Sequence, residues 1–437
     1  MSDEDMDVLE MEENEKIAES SACEDHETST EETKDVYLPG KPLEEGEELV
    51  CDQTAYVMYH QAQTSAPCLS FDIIRDNFGD NRELFPLTAY VVAGTQAAQS
   101  QTNNVIVMKL SNLHRTNQDE NDDSDEEDDD HEDPKMTGAL IRHQGGVNRI
   151  RVTTIDNKVI AASWSELGRV NIWNISPQIA AVDDDQLLST YNKENRANST
   201  TPLFTFNGHQ KEGFALDWSP TINGVLATGD CKQAIHIWRP TESATWSVDQ
   251  RPLIGHTDSV EEVQWSPNER HVLASCSVDK SIRIWDTRAQ PSKACMITAE
   301  NAHQSDVNVM NWNKNEPFIV SGGDDGIIHI WDLRKFQSKV PLATFKHHMD
   351  SVVTVEWHQT DSTLFASGGA DNQIALWDLS VEKDAEGSED VEGLPPQLLF
   401  IHQGQHNIKE LHWHPQLPGV IISTAESGFN IFRTISV

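Results

Sequence analysis

Lysine and arginine are scarce in this chain: 32 of them stand against 72 aspartates and glutamates over 437 residues, a formal net charge of −40. Wrapping nucleic acid through its phosphates needs clustered Lys and Arg, and so does docking on an anionic membrane; neither task suits this chain. Cysteine is sparse, with six residues at 23, 51, 68, 231, 276 and 295 and no CxxC pair. That fits neither a disulfide framework nor a zinc site and suits a reducing compartment. No apolar run approaches the roughly 18 residues of a membrane span. The opening MSDEDMDVLEMEE lacks the basic and apolar regions of a secretion signal, and no compact Lys/Arg cluster offers itself for nuclear import. A P-loop, a GxSxG elbow, an HExxH helix and a Cys/His nucleophile pair are all missing, so neither catalysis nor a cofactor or metal is expected.

The acid is concentrated. Residues 1–50 carry −16 and residues 119–133 (DENDDSDEEDDDHED) carry −12, together −28 of the −40. The other 372 residues have the balance of an ordinary soluble domain. Like charges repel and little there can be buried, so both runs are expected to be unfolded appendages. Solubilising tails are the plain reading of such runs; capture of a strongly basic partner is the sharper one.

A repeat dominates the rest. A tryptophan closes similar segments at Trp173, Trp238, Trp285, Trp331 and Trp377, with Phe432 in the sixth position. Three successive spacings are 47, 46 and 46 residues; the flanking 65 and 55 contain polar inserts. Within a unit the apolar period is two, with Gly, Asp and Asn at the turns, which predicts strands. Four short strands every mid-forties residues read as propeller blades. The order His256-TDSVEEVQ-Trp265, VLASCSVDKSIRI-Trp285-Asp286 recurs from His303 and from His348, and it resembles WD-repeat β-propellers. The expected fold is all-β, a seven-bladed propeller with an N-terminal helix and an acidic disordered tail. Residues 67–110 supply the seventh blade and are expected to pair with the chain's last strands, because an open ring leaves exposed sheet edges.

The Ser, His and Asp residues have a structural use in such a blade. His256, Ser275, Asp279 and Trp285 resemble a polar tetrad in which each buried group has a partner. His303, Asp325 and Trp331, and His348, Asp371 and Trp377, repeat it. The Asp position is Lys232 and Leu167 in the units that close at Trp238 and Trp173, so those two blades are expected to lack the full tetrad.

Residues 52–64 (DQTAYVMYHQAQT) read as a helix capped by Asp52, with Tyr56, Tyr59 and Gln63 on one face and Val57 and Met58 beside it. The insert 380–397 is acidic and ends in Pro395-Pro396. Helix, acidic proline-ended loop and the following LLFIHQG resemble the histone-binding subfamily of WD-repeat proteins, the retinoblastoma-binding chaperone type. In that family the helix and loop hold a basic helix of a core histone. The resemblance implies a partner groove of Tyr56, Tyr59, His60 and Gln63 facing Glu389, Asp390, Glu392, Leu394, Pro395 and Pro396. The helix sequence departs from the subfamily's usual one.

YLPGKPLEEGEELV, QTSAPCLSFDIIRDNFGDNR, SIRIWDTRAQPSKACM and ELHWHPQ…GFNIFRTISV resemble a narrower branch, the glutamate-rich WD-repeat proteins. That likeness implies a non-enzymatic chaperone, acting in the nucleus and nucleolus. Its partners would be basic proteins, a newly made large-subunit ribosomal protein and core histones. Direct nucleic-acid or membrane binding is not expected, and a monomer is. Asp122, Asp123, Asp125, Glu126, Glu127, Asp128, Asp129 and Asp130 would form the acidic capture insert. The expected organisation is a tail over 1–44, a helical segment over 45–66 and the propeller over 67–437, with inserts at 117–135 and 380–397. Two alternatives remain. One is a passive scaffold. The other is a cullin-ligase substrate receptor, because Trp285-Asp286-Thr287-Arg288 and Trp331-Asp332-Leu333-Arg334 resemble tandem WDxR motifs that would offer Arg288 and Arg334 to the ligase adaptor.

Overall fold

A computed structural model describes residues 37, 49–98, 102–116, 132–197, 200–243, 245–381 and 394–437. Seven antiparallel four-stranded sheets follow one another around a ring. Blade 1 is Cys68–Ile74, Leu87–Thr95, Asn103–Leu113 and Lys135–His143. Blades 2 to 6 begin with Val147–Ile155, Ala215–Trp218, Val260–Trp265, Val307–Trp312 and Val352–Trp357, each the inner strand of its sheet. Blade 7 is Ile408–Trp413, Val420–Ala425 and Gly428–Thr434, completed by Tyr56–Ala62. Val, Ile, Ala and Trp of neighbouring blades interdigitate, and the closing residues Trp238, Trp285, Trp331, Trp377 and Phe432 are fully buried.

Two expectations are corrected at the start of the chain. Residues 52–64 are not a helix. Gln53–Ala55 is one 3₁₀ turn, capped by Asp52, whose carboxylate accepts from the Thr54 amide at 3.0 Å. Tyr56–Ala62 is then a strand, with Tyr56, Met58 and Ala62 buried. Tyr, Val, Met and Tyr suit a half-buried pleated surface, and pairing satisfies the exposed backbone edge of Gly428–Thr434, which outweighs a short helix's weak local preference. The ring is therefore closed by this strand, with Tyr56 opposite Thr434 and Ala62 opposite Phe429, and not by residues 67–110. Those residues supply three strands of blade 1, whose fourth lies beyond the acidic insert.

Each tetrad is a relay of hydrogen bonds. Trp285 Nε1 donates to Ser275 Oγ at 2.8 Å, Ser275 Oγ meets His256 Nε2 at 2.6 Å, and His256 Nδ1 meets Asp279 at 2.9 Å. Blade 5 repeats this with Trp331, Ser321, His303 and Asp325, and blade 6 with Trp377, Ser367, His348 and Asp371. The blade closing at Trp238 also has a complete set, contrary to the expectation from Lys232. Asp230, two positions earlier, reaches His209 Nδ1 at 2.9 Å, and Thr228 stands in for serine. Its other carboxylate oxygen caps the same turn by accepting from the Lys232 and Ala234 amides. In the blade closing at Trp173, Ser163 joins Trp173 to His143, but the His143 Nδ1 partner is the Gly145 carbonyl and Leu167 is exposed.

The first insert of blade 2 forms two helices, Ser176–Val182 and Asp185–Ala197. They cross to blade 1, where Tyr191 and Asn195 both donate to the Leu140 carbonyl, at 2.7 and 2.8 Å.

Asp230→Ala and Asp279→Ala are each expected to lower stability by about 1–3 kcal/mol, since each orphans a buried imidazole N–H. Leu167→Ala should stay within about 0.5 kcal/mol. Urea unfolding measures all three, and a silent Asp230→Ala would remove the third blade's tetrad from this description.

Candidate functional site at the closing strand

The closing strand sits between the roots of the chain's acidic segments. Residues 49–52 lead into it from the N-terminal run. On one flank, the Thr116 amide donates to the Val57 carbonyl at 3.1 Å, and His60 Nε2 donates to the His114 carbonyl at 2.9 Å. The acidic insert follows directly after Thr116. Its far end returns to the same place: Asn112 Nδ2 donates to the Asp133 carbonyl at 3.2 Å, and His114 Nε2 lies 3.0 Å from the Glu132 carbonyl. On the other flank, the end of the proline loop passes through Leu394, Pro395 and Pro396 into the strand Leu398–His402 of blade 6. Phe400 of that strand meets the Tyr56 ring edge-on at 5.4 Å, and the Tyr56 hydroxyl and His402 Nδ1 share a hydrogen bond at 2.7 Å.

Tyr56 and Tyr59 stack at 5.1 Å, and the His402 ring lies 5.7 Å from each. Asn430 Nδ2 donates to His402 Nε2 at 3.0 Å. His402 stacks on Phe432 at 4.0 Å, the position a tryptophan holds elsewhere. Burial of Tyr56 pushes its hydroxyl pKa upward, and burial takes His402 down to about 3, so both stay neutral. Of the residues that the sequence placed on a helical face, Tyr56 and Tyr59 lie on a strand against Phe400 and His402 of the strand that follows the proline loop; His60 turns to the other flank, and Gln63 is exposed beyond the strand's end. Glu389, Asp390 and Glu392, like Asp122 to Asp130, lie outside the described residues.

Arg288 and Arg334 are each engaged by the aspartate two positions earlier. Arg288 binds Asp286 through Nε at 2.9 Å and through its terminal nitrogen at 2.6 Å, and Arg334 Nε donates to Asp332 at 2.8 Å. Both side chains remain more than 60 % exposed.

A second polar assembly, which the sequence pattern did not announce, lines the inner strands. One residue near the end of each inner strand links to the next blade. Asp72 accepts from the Val152 amide, Asp217 from Trp265, Gln264 from Trp312, Asn311 from Trp357 and Glu356 from Trp413. Trp218 Nε1 donates to the Arg151 carbonyl, and His412 Nε2 donates to the Phe71 carbonyl, which completes the circle. The recurring pairs Asp217-Trp218, Gln264-Trp265, Asn311-Trp312, Glu356-Trp357 and His412-Trp413 were the available signal.

Glu410 ties this assembly together. It takes Arg149 at 2.6 Å and Arg151 at 2.7 Å on one oxygen and the Phe71 amide at 2.8 Å on the other. Burial alone would raise its pKa, but the two arginines hold it well below the carboxylate range. His412 is opposed by burial yet driven up to about 10 by Glu356 and Glu410, so it is an imidazolium. Asp217, desolvated and helped only in part by the Trp265 amide and Arg151, is pushed up to about 8. The groups surround a cavity of about 230 Å³ and satisfy one another.

Residues 46–114 match the family model for the histone-binding protein RBBP4, also described as a component of the CAF1 complex, and 248–286, 295–332 and 339–378 match the WD domain, G-beta repeat. The chain is 42 % identical over 413 residues to glutamate-rich WD repeat-containing protein 1 of Dictyostelium discoideum, covering 90 % of this chain and 83 % of that one. It belongs to the glutamate-rich WD-repeat family. Ribosome assembly protein rrb1 of Schizosaccharomyces pombe is 40 % identical, over 94 % of this chain and 87 % of its own. Protein HEAT STRESS TOLERANT DWD 1 of Arabidopsis thaliana is 41 % identical, over 97 % and 95 %. The first family match spans the closing strand and most of blade 1, the segment that carries Tyr56, Tyr59 and the root of the acidic insert.

Glu410→Gln should cost about 1–3 kcal/mol in urea unfolding, because the partly buried Arg151 loses the carboxylate it pairs with and Arg149 keeps only Glu262 at 3.1 Å. Asp217→Asn tests the raised carboxyl. Its folded pKa lies above the ordinary value, so the stability that Asp217 itself contributes falls as pH rises from about 4 through 8. The variant should match wild type near pH 4 and exceed it by about 1–3 kcal/mol at pH 9; a pH-independent difference would contradict the assignment.

Proposed function

We propose that this protein is a non-enzymatic chaperone scaffold for strongly basic proteins, a newly made large-subunit ribosomal protein and core histones. It would work in large-subunit biogenesis and on chromatin, in the nucleus and nucleolus. The observation that carries the reading is the convergence at the closing strand, where the N-terminal run enters, the insert is rooted at both ends and the proline loop arrives. A partner approaching that rim meets most of the molecule's negative charge. Such a field speeds encounter and favours a basic partner over a neutral one. The names of the relatives, one a ribosome assembly protein, and the histone-binding family model over 46–114 support the same choice of partner class.

The ligase-receptor reading draws on two exposed arginines, but each guanidinium is already engaged by its own aspartate. Unchanged adaptor pull-down after replacing both would remove it.

Deletion of 119–133 combined with Glu389→Lys, Asp390→Lys and Glu392→Lys should weaken binding of purified histone H3–H4 and of a basic large-subunit ribosomal protein by about tenfold or more at physiological salt. The wild type's salt dependence should flatten with it, while the unfolding midpoint of the ring stays put. Affinity indifferent to both the changes and the salt would sink the proposal.

A further inference from the structure

Where the outer strands of blade 3 meet blade 4 lies a cavity of about 330 Å³ whose charge runs against that of the chain. Three arginines line it with a single carboxylate, Asp249. Arg239 comes from the third strand of blade 3, where it pairs with Ser247, and it is exposed. Among the described residues its guanidinium forms no hydrogen bond and no ion pair. Arg251 follows the fourth strand, Trp246–Val248, and holds Asp249 through Nε and Nη2, both at 3.1 Å. Arg288 of blade 4 engages Asp286 through the same two nitrogens. In both pairs the aspartate takes one edge of the guanidinium, and Nη1 forms no hydrogen bond among the described residues. Arg251 and, more weakly, Arg239 keep the Asp249 carboxyl below its ordinary range, so the one acid of the lining is already committed. With Asp286 counted, three cations face two anions. The floor is apolar and fixed. Ile237 and Leu253 are buried there, the Leu253 amide donates to the Ile235 carbonyl at 2.9 Å, and the Ile254 amide reaches across to the Pro291 carbonyl of blade 4 at 3.2 Å. The Ile254 side chain stands beside the cavity, 62 % exposed.

We propose that this cavity binds a phosphorylated side chain of a partner peptide. The site is independent of the basic-partner reading, since it lies on other blades and takes a ligand of the opposite charge. Guanidinium groups recognise phosphoryl oxygens through paired N–H groups, and arginine clusters are a recurring receptor for phosphorylated motifs. A phosphomonoester gathers about −1.5 to −2 charges and three acceptor oxygens into one group, which suits three guanidinium edges around one hollow. A run of carboxylates would spread the same charge over a surface that is otherwise acidic. Nucleic acid needs cations along several successive phosphates, and this lining offers one hollow on a chain of net charge −40. The apolar floor and Ile254 give the carbon skeleton of the phosphorylated residue and its neighbour a surface to cover, which inorganic phosphate cannot use.

The test uses the full chain and two bead-bound synthetic peptide pools, one centred on phosphoserine and one on serine, both flanked by randomised uncharged residues. Wild type should be retained on the phosphoserine pool about tenfold or more above the serine pool. Arg239→Ala/Arg251→Ala should bring that ratio to about twofold or less. Lys158→Ala removes an exposed cation from blade 2 and should leave the ratio unchanged. Asp249→Asn releases the second edge of Arg251 and should raise retention by about threefold, a gain that damage to the fold cannot produce. A ratio near one in wild type, or a ratio that survives the double variant, overturns the site. Inorganic phosphate that displaces the chain as readily, mole for mole, as the soluble phosphoserine pool overturns the peptide and leaves a bare anion site. A single-stranded RNA oligonucleotide that binds through the same arginines more tightly than the pool overturns the proposal in favour of nucleic acid.

Discussion

The pairing of Tyr56–Ala62 with Gly428–Thr434 is the contact on which the molecule depends. Without it blade 7 has three strands and the seam between blades 7 and 1 loses its only strand pairing among the described residues. With it, the last blade is built from both ends of the sequence, and the segment preceding residue 56 must begin on this blade. The point at which residues 49–55 join the ring is thus a by-product of ring closure. The same strand receives the root of the insert on one flank and the strand after the proline loop on the other. A mechanical requirement has gathered these attachment points.

Two polar networks then hold the ring at different radii. The tetrads run outward through single blades, and the inner circle runs from blade to blade through amide acceptors such as Asp217, Asn311 and Glu356. Both use groups that could serve chemistry elsewhere. In the tetrads the serine hydroxyl is buried and already shared between a tryptophan and a histidine, and burial depresses the imidazoles of His256 and His209. At the channel the most firmly held charge is Glu410, whose arginines and amide donor leave it no free oxygen.

Blade count, blade period and three of the tetrads were legible because they repeat, and repetition averages out local ambiguity. The closing strand was not, because Tyr56, Tyr59 and Gln63 fit a helical face as well as Tyr56, Met58 and Ala62 fit a strand, and only a partner 371 positions away decides between them. Asp230 was missed because a fixed offset does not hold in a turn that places its carboxylate two residues earlier. The inner circle was visible as a polar residue before each strand-ending tryptophan, but its meaning lies between blades, where a unit-by-unit reading does not look. Of the site, Tyr56 and the proline loop were singled out by resemblance, on a helix that the structure replaces with a strand; the meeting of His60 and Thr116 with the insert's root could not be read, since it joins two segments that share no motif.

Ring closure also sets an order of events during synthesis. Tyr56–Ala62 is made well before its partner Gly428–Thr434. While the six intervening blades are synthesised this strand, with two tyrosines, a valine and a methionine, has no native neighbour. Chains waiting on long-range pairing are exposed to wrong association for as long as they wait. Residues 1–50, ahead of it, carry −16, and charge flanking an apolar strand is a recognised guard against edge-to-edge aggregation.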